Sequence, residues 1–330
     1  MTMPDSLAPL TVVIPTYNRM DVLRRTLAGY VSQTVPDLVH ELLVVDDGSM
    51  DSTREVVEHA ERIAPFRIRY LYQPNHGPAA ARNRGIEQVS TPLILFTDDD
   101  MIPSHDLVVR HVEWHQKFPE SYAAVLGLVK WSAELCPTPF MEWYGNAGPL
   151  FSYGKFRGML EVDFRHFYSC NLSVKIDFLK SVSKFDESFK IAAYEDTELG
   201  FRLSKAGLRL LYNPKALAYH YQYFTFAEAC RKTRHAASAR QRFLQTEAGN
   251  HFLRLQHGRE SQLVFRIVRR LAAWIFKPAT KLLDSHFRLP TIIYRSLFWY
   301  YTTQLAEPQD VVEAKKPRSC DSYGQEDWHG

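Results

Sequence analysis

Four short apolar runs alternate with segments of helical periodicity in the first third of the chain. The runs are TVVIP (11–15), ELLVVDDGS (41–49), RIRYLYQ (67–73) and PLILFTDDD (92–100). Apolar residues at helical spacing separate them, for example in 18–33 and 106–118. Strands that alternate with helices are joined by right-handed crossovers into a mostly parallel sheet. The sequence therefore predicts an α/β fold whose sheet is covered by helices on both faces.

Polar side chains follow three of these runs, at the positions where the predicted strands end. They lie in PTYNR (15–19), DDGS (46–49) and DDD (98–100). The carboxyl ends of parallel strands meet at one edge of a sheet, and ligands of α/β proteins bind beyond that edge. We therefore expect the three polar clusters to converge on one binding site.

The aspartates Asp98, Asp99 and Asp100 are adjacent like charges, and no basic residue follows them directly. Either a cation from outside the chain offsets their repulsion, or all three reach water in an acidic turn. Mg²⁺ and Mn²⁺ take carboxylate oxygens together with substrate phosphates and water. Because side chains alternate along an extended segment, we expect one aspartate to bind metal and another a sugar or ribose hydroxyl. The convergence of strand ends favours the metal site.

Composition and missing motifs exclude several classes of protein. A net charge of +3 is too small to indicate a nucleic-acid partner. The start MTMPDSLAP lacks the features of a signal peptide, and no apolar run is long enough for a spanning helix, so we expect a cytoplasmic protein. Cysteines 136, 170, 230 and 320 match no disulfide or zinc framework and are expected to be free thiols. Neither a dinucleotide fingerprint nor a P-loop occurs.

Six motifs in chain order carry a resemblance to a known family. They are VVIPTYNR (12–19), LLVVDDGSMDST (42–53), GPAAARNRGI (77–86), LILFTDDDMIP (93–103), CNLSVKIDFLKSVSKFDESF (170–189) and YEDTELGFRLSKAG (194–207). Together they resemble glycosyltransferase family 2, inverting enzymes of the GT-A fold, over roughly residues 10–222. The resemblance implies a Rossmann-like, mostly parallel sheet flanked by helices, with a C-terminal helical extension beyond it.

The resemblance assigns the nucleotide to residues of the first three motifs. Pro15 and Tyr17 come from PTYN, and Tyr17 is expected to stack on the base unless it packs in the core. The second aspartate of VDDGS, Asp47, is expected to accept from the ring N–H of the base, while Asp46 braces the turn. Arg82 is expected to lie near the nucleotide, whereas Arg84 is interpreted as a surface charge.

The acidic run corresponds to the D-x-D motif of the family. The last aspartate, Asp100, is expected to bind Mn²⁺ or Mg²⁺, with Asp98 toward the ribose or donor sugar and Asp99 among the donor-binding residues. The register within three identical residues is uncertain by one. His220 falls where relatives place a metal-binding histidine, although packing among tyrosines is the alternative. An imidazole ligand suits Mn²⁺ better than Mg²⁺.

The pair Glu195 and Asp196 corresponds to the catalytic acids of the family. An inverting displacement needs a base that takes the proton of the acceptor hydroxyl as C1 is attacked. The resemblance assigns this role to Asp196, with Glu195 as its neighbour and acceptor contact. The helix N-terminus is expected to lower the pKa of Asp196, so proximity must supply much of the effect. An acidic turn that caps the helix is the alternative.

These assignments predict an inverting, metal-assisted transfer of a sugar from a nucleotide sugar, first of all a UDP-sugar, to an acceptor hydroxyl. The acceptor is expected to be a saccharide or a lipid-linked saccharide of cell-surface polysaccharide or glycolipid synthesis. Two other classes stay open. One is a non-catalytic module that binds sugar nucleotides, and the other is a nucleotidyltransferase, which would release pyrophosphate instead of a nucleoside diphosphate.

The segment LVFRIVRRLAAWIFK (263–277) has a basic amphipathic pattern. Its basic residues fall on one helical face, and Trp274 and its apolar neighbours form a broad second face. Such a helix can lie on an anionic membrane, which would make the protein peripheral at the inner face of the cell membrane. The alternative is that the apolar face packs on the catalytic domain or on a second subunit in a homodimer.

The sequence predicts four parts of the chain. Residues 1–9 are expected to be a flexible tail, and 10–225 a catalytic domain. Within that domain 10–103 is the nucleotide-binding half and 104–225 the acceptor half. Residues 226–306 form the basic helical extension, and 307–330 a polar, disordered tail.

Overall fold

A computed structural model of the chain describes residues 8–256, 271, 272 and 274–303. Its strands form one nine-stranded sheet. They are β1 (Leu10–Thr16), β2 (Val39–Asp46), β3 (Arg67–Tyr72), β4 (Leu93–Thr97), β5 (Met101–Pro103), β6 (Ala123–Trp131), β7 (Glu161–Val162), β8 (Asn171–Lys175) and β9 (Arg209–His220).

The α-helices that the structure describes are α1 (Met20–Val31), α2 (Thr53–Ile63), α3 (Pro78–Gln88), α4 (Leu107–Lys117), α5 (Pro139–Asn146), α6 (Ile176–Val182), α7 (Glu195–Lys205), α8 (Phe226–His235), α9 (Ala237–Leu244), α10 (Glu247–Gln256) and α11 (Thr291–Thr303). Short 3₁₀ turns lie at Pro36–Leu38, Ala133–Leu135, Tyr153–Lys155, Phe164–His166 and Lys277–Leu282. None of the helices within the described residues is long and apolar enough to cross a membrane.

The sheet has the order β3-β2-β1-β4-β8-β6-β9-β5, and β7 pairs with β9 at its side. The first four strands in this order are parallel, as the strand–helix alternation predicts. The pairings of β4 with β8, β6 with β8, β5 with β9 and β7 with β9 are antiparallel. All five residues of β4 are buried, which explains their continuous apolar pattern. The α/β fold class is confirmed.

The fourth strand ends earlier than the sequence predicts. It stops at Thr97, and Asp98–Asp100 form a turn before β5. The three aspartates therefore do not alternate between the two faces of an extended strand. Because the chain turns here, neighbouring carboxylates can point to the same side.

The described residues divide into two compact units. The first comprises 8–130, 153–220 and 236–256, and the second comprises 131–152, 221–235 and the described residues from 271 onward. The core of the second unit is aromatic. In it the Trp143 and Tyr294 rings stack at 5.6 Å, and Phe140 meets Phe226 edge-on at 5.3 Å. The sequence-based boundaries at 103 and 225 stay predictions.

Two sequence expectations concern residues that the structure describes only in part. Arg266, Arg269 and Arg270 of the basic amphipathic segment lie outside the described residues. Cys170 and Cys230 are free and buried, but Cys136 is disulfide-bonded. The expectation that all four cysteines are free thiols is therefore wrong for Cys136.

A buried relay of hydrogen bonds joins α4 to β8. Lys175 Nζ lies 3.4 Å from His115 Nδ1, and Ser173 Oγ lies 2.8 Å from both His115 Nε2 and His111 Nδ1. His111 Nε2 is 2.9 Å from Asn171 Oδ1. An ammonium group only donates hydrogen bonds, so each neutral imidazole accepts on one nitrogen and donates from the other. The relay thus uses both histidines in the neutral form.

Burial lowers the pKa of His111 to about 4 and, with the nearby Lys175, that of His115 to about 3. The unfolded chain keeps an ordinary histidine pKa near ~6.5, so between these values the unfolded state binds more protons. The stability from each neutral histidine is therefore complete above the unfolded pKa and falls with pH below it.

We predict that His115→Gln lowers the free energy of unfolding at neutral pH, and that its difference from wild type shrinks as the solution is acidified. Between about pH 6 and pH 4 it should shrink by roughly 1 kcal/mol per pH unit. Urea unfolding of both proteins at several pH values measures it, with the same change at the exposed His59 as matched control. A difference that does not vary with pH would contradict a neutral His115.

Candidate active site

The turn after β1 is fixed by the turn after β2. Asn18 adopts a left-handed backbone conformation with φ of 52°, which asparagine tolerates better than most residues. Its N–H donates to Ser49 Oγ at 2.8 Å, and its Oδ1 accepts from Met50 N at 2.7 Å. Met20 N donates to Asp51 Oδ2 at 3.1 Å. These bonds hold the start of α1 beside the β2–α2 turn.

Arg19, the residue between Asn18 and α1, lies against two of the three aspartates. Its Nη1 is 2.9 Å from Asp99 Oδ1, and its Nη2 is 2.7 Å from Asp100 Oδ2. The Arg19 side chain is 36% exposed, whereas those of Asp99 and Asp100 are 6% and 5% exposed. Arg19 therefore covers two buried carboxyl groups from the solvent side.

Asp99 is held by side chains on its inner side. Thr16 Oγ1 donates to Asp99 Oδ2 at 2.8 Å, and Thr26 Oγ1 donates to its carbonyl at 2.7 Å. Burial raises the pKa of Asp99 to about 7, in opposition to the Arg19 charge. These bonds fix Asp99 as a bracing group of the turn.

Strand pairing brings His220 to Asp100. β5 and β9 are antiparallel with Met101 opposite His220, so the histidine lies beside the preceding aspartate. His220 Nε2 is 3.3 Å from Asp100 Oδ2. Burial acts to raise the pKa of Asp100, but His220 and Arg19 together hold it well below its usual range. Asp100 is thus the ionised centre of the cluster.

Arg82 on α3 connects the acidic turn to α7. Its Nη2 is 2.8 Å from Asp98 Oδ1, and its Nη1 is 3.1 Å from Glu195 Oε1. The Arg82 side chain is buried and lies over the Phe185 ring. Arg84, two residues further along the helix, is exposed. The buried arginine therefore joins two of the predicted site residues that are far apart in sequence.

Glu195 and Asp196 begin α7, after Tyr194 in a left-handed conformation with φ of 70°. Asp196 Oδ2 accepts from Ser169 N at 2.9 Å, whereas its Oδ1 makes no hydrogen bond within the described part of the chain. Burial and the neighbouring Asp196 raise the pKa of Glu195 to about 8, against the Arg82 charge. Burial also raises the pKa of Asp196.

The expectation that the helix N-terminus lowers the pKa of Asp196 is therefore wrong in direction. The loss of water around a buried carboxylate is a larger effect than the partial charge at a helix end. Two adjacent buried carboxyl groups resist double ionisation, which adds to the raised pKa of Glu195.

Asp47 holds the loop between β3 and α3. Its Oδ1 accepts from Gln73 Nε2 at 2.7 Å and from His76 N at 2.9 Å, and its Oδ2 accepts from Gly77 N at 2.8 Å. Gly77 has a φ of 93°, in the region that favours glycine. A carboxylate has about four lone-pair positions, so one acceptor position remains on Oδ2.

Asp46, Tyr17 and Pro15 belong to the motifs at the ends of the first two strands. Asp46 braces the turn after β2, because it accepts from Ser49 N at 2.8 Å and from the Tyr70 hydroxyl at 2.5 Å. Tyr17 is 46% exposed and therefore not part of the core. Pro15 lies within β1, where it pairs with β2. Tyr17 thus has an open ring face at the edge where the parallel strands end.

The structure thus brings Asp98, Asp99, Asp100 and His220 together in one cluster, and Arg82 links this cluster to the pair Glu195 and Asp196. Sequence reasoning did not assign Arg19 or Ser169. Arg19 lies in the quoted motif PTYNR, and its charge is the signal that could have drawn attention to it. Ser169 donates its backbone N–H to Asp196, and a backbone contact cannot be predicted from the residue type.

The donor atoms fit a divalent cation that shares its ligands with a substrate. Asp100 offers a carboxylate oxygen and His220 an imidazole nitrogen, a set that suits Mn²⁺. Among the residues that the structure describes, no group of three histidine, cysteine or acidic side chains is close enough to hold a metal ion. The cation would therefore need further ligands from water and from the phosphates of a nucleotide.

The chain is similar to known proteins in sequence and in fold. Residues 11–160 match the model of glycosyl transferase family 2. Over 223 residues, which is 60% of this chain, the sequence is 34% identical to validoxylamine A glucosyltransferase from Streptomyces hygroscopicus subsp. limoneus. The match covers 48% of that protein, and this chain spans about half the length of the two glucosyltransferases of that name.

Solved structures of low sequence identity share the fold. The mannosyltransferase PcManGT from Pyrobaculum calidifontis, in complex with GDP-Man and Mn²⁺, matches with a TM-score of 0.55 at 18% identity, over 89% of this chain and 88% of its own. Residues 1–349 of TarS from S. aureus, in complex with UDP, match with a TM-score of 0.54 at 18% identity, over 89% of each chain. Residues 11–160 therefore belong to glycosyl transferase family 2, and the chain has the GT-A fold of these glycosyltransferases.

Proposed function

We propose that this protein is an inverting glycosyltransferase that moves a sugar from a UDP-sugar to an acceptor hydroxyl. The observation that carries the proposal is the unequal state of the pair on α7. Glu195 Oε1 is paired with Arg82 at 3.1 Å, whereas Asp196 Oδ1 has no hydrogen bond among the described residues. An ionised carboxylate with unused lone pairs is a suitable general base.

In this proposal, Asp196 acts on the acceptor. Its free oxygen takes the hydroxyl proton as the hydroxyl oxygen forms a bond to C1 of the donor sugar. The bond between C1 and the diphosphate oxygen breaks on the opposite side, so the configuration at C1 inverts. Ser169 N fixes the other oxygen of Asp196 at 2.9 Å and so orients the carboxylate. The raised pKa of Asp196 also makes it a stronger base than an exposed aspartate.

The other side of the site would hold the nucleoside diphosphate. Asp100 and His220 are the residues that would bind Mn²⁺ or Mg²⁺, and a cation there offsets the charge that develops on the leaving diphosphate. Asp98 is the most exposed of the three aspartates, with 31% of its side chain accessible. It is therefore the one available to a ribose or donor sugar hydroxyl.

The hydrogen bonds of Asp47 support uracil as the base. Uracil presents one ring N–H between two carbonyl groups, whereas guanine presents a ring N–H and an adjacent amino group. Three intramolecular donors already occupy Asp47, which leaves one acceptor position. One position satisfies uracil and leaves a guanine donor unpaired, and Tyr17 offers its exposed ring for stacking.

We predict that Asp196→Asn lowers the rate of sugar transfer by about 10²–10⁴-fold, the usual effect of losing a general base. Donor affinity should stay nearly unchanged, because the substitution keeps the size and the Ser169 contact. The measurement is release of UDP in the presence of Mn²⁺, with Glu195→Gln as the comparison. An active Asp196→Asn beside an inactive Glu195→Gln would reverse the two roles. Release of pyrophosphate would instead indicate a nucleotidyltransferase. The absence of turnover with every donor tested would indicate a non-catalytic module.

We also predict that UDP with Mn²⁺ raises the melting temperature more than GDP with Mn²⁺ does, for the hydrogen-bonding reason given above. The increment should fall when a chelator replaces the metal, and Asp100→Ala should lose the metal-dependent part. A thermal-shift series over both nucleotides, with and without Mn²⁺, measures these effects. A larger shift with GDP would overturn the choice of uracil, and an equal UDP shift in chelator would remove the metal from the mechanism.

We further propose that the second unit binds an anionic membrane and thereby a lipid-linked acceptor. Several large apolar side chains there are exposed, among them Trp274 at 76%, Phe287 at 64% and Ile275 at 62%. Lys281, Arg288 and Arg295 are exposed as well. Asp284, the one acid within 274–303, accepts from Phe226 N at 2.6 Å through Oδ1. Exposed apolar groups among cations match an anionic lipid surface.

We predict that the protein sediments with vesicles of phosphatidylglycerol and phosphatidylcholine at low salt and is partly released at high salt. Each basic residue near the surface contributes about 1 kcal/mol, and salt screens this attraction. Trp274→Glu should weaken binding and leave UDP release intact, while Ile63→Glu in the first unit is the matched control. Wild-type protein that ignores the vesicles but forms a dimer disrupted by Trp274→Glu would assign the surface to a subunit interface instead.

A further inference from the structure

Arg19 binds the carboxylate oxygen of Asp100 that a divalent cation between Asp100 and His220 would also need. The oxygen that faces His220 at 3.3 Å is Asp100 Oδ2, and the same oxygen accepts from Arg19 Nη2 at 2.7 Å. A metal ion held by Asp100 and His220 would therefore compete with Arg19 for that oxygen. A guanidinium group stays charged at every pH at which proteins are folded, so this competition is always present.

The two contacts of Arg19 differ in what surrounds them. Asp99 is fixed from the inner side by Thr16 and by its own backbone contact with Thr26, so the bond from Arg19 Nη1 has a rigid partner. Asp100 is contacted by Arg19 and by His220 at one oxygen. Arg19 can thus keep Asp99 as a pivot while it releases Asp100.

The backbone at Arg19 does not need to move for this release. Asn18 and Met20, its two neighbours, are tied to the β2–α2 turn by Ser49, Met50 and Asp51. The Arg19 carbonyl accepts from Leu23 N at 3.0 Å as part of α1. Only the long side chain is free to change rotamer, and 36% of it already faces solvent.

We propose that Arg19 is a displaceable internal counter-ion of the metal site. In the donor-free protein Arg19 pairs with both Asp99 and Asp100. When a divalent cation binds, Arg19 releases Asp100 Oδ2, and its guanidinium N–H groups bind the donor diphosphate. A guanidinium binds two phosphate oxygens at once, so the released group has a partner of matching shape only when the nucleotide is present. The inference rests on the proposed function, because it assigns the cation and the diphosphate to the same site.

The consequence is a linkage between the two ligands. A cation that binds alone must displace Arg19 without compensation, whereas a cation that binds with the diphosphate leaves Arg19 paired. Each ligand then raises the affinity for the other by the same factor, typically about 5–150-fold. Arg19 is therefore a positioning residue that links metal binding to donor binding.

The test is the sign of the effect of Arg19→Ala on two separate affinities. Mn²⁺ binding without nucleotide should become about tenfold tighter, because the competing cation is gone. UDP binding at saturating Mn²⁺ should become about tenfold weaker, because a charge-assisted contact to phosphate is lost. Calorimetric titration of Mn²⁺ alone, and of UDP with Mn²⁺, measures both. Arg24→Ala, at an exposed position on the same helix, should change neither.

Arg19→Gln repeats the experiment with a side chain that keeps hydrogen bonds to Asp99 and lacks the charge, and it serves if the alanine variant does not fold. A merely structural role for Arg19 would weaken both affinities together. Mn²⁺ binding that is unchanged or weaker in a folded Arg19 variant would overturn the proposal, even where wild-type protein binds UDP with Mn²⁺ as proposed. Failure of UDP to bind wild-type protein would count against the proposed function, while the Mn²⁺ titration alone still decides the competition.

Discussion

The site depends on charge compensation between buried acids and two arginines. Asp99 and Asp100 are nearly inaccessible to solvent, and without the Arg19 guanidinium their burial next to each other would be strongly unfavourable. Arg82 has the same role between Asp98 and Glu195. Arg19 closely follows β1, and Arg82 lies on α3, which packs on β1 and β2. The α/β framework therefore sets the distances between these arginines and the acids. Five carboxyl groups and two guanidinium groups leave an excess of negative charge that suits a cationic ligand.

This compensation also divides the acids by task. Acids whose two carboxylate oxygens both accept from protein donors brace the turns, as Asp46, Asp47 and Asp99 do. Asp196 differs from these acids, because its Oδ1 has no hydrogen bond among the described residues. The chemistry of each carboxylate therefore follows from its hydrogen bonds more than from its place in a motif.

Much of the fold could be predicted from the sequence, because apolar periodicity reports burial directly. The strands β1 to β4 and the helices between them follow it, and only the end of β4 differs, where Asp98–Asp100 turn. The convergence of polar residues at the ends of the parallel strands could also be predicted from the sequence. The contacts of Arg19 were not, because an ion pair between residue 19 and residues 99 and 100 requires the pairing of β1 with β4. The raised pKa of Asp196 was missed for a similar reason, since desolvation is a property of the packed structure.

The relay between α4 and β8 has a consequence for the uniqueness of the sheet. The relay starts at the Lys175 ammonium group, which can only donate hydrogen bonds. It ends at Asn171, whose Nδ2 donates to the carbonyl groups of Leu128 and Ala216 at 3.1 and 2.9 Å. These carbonyl groups can only accept. With both ends fixed, every hydroxyl and imidazole between them has one orientation. A slip of β8 by one residue would turn Asn171 and Ser173 to the other face and break every bond of the chain at once. Strand register here is therefore set by the polarity of hydrogen bonds as well as by the apolar pattern.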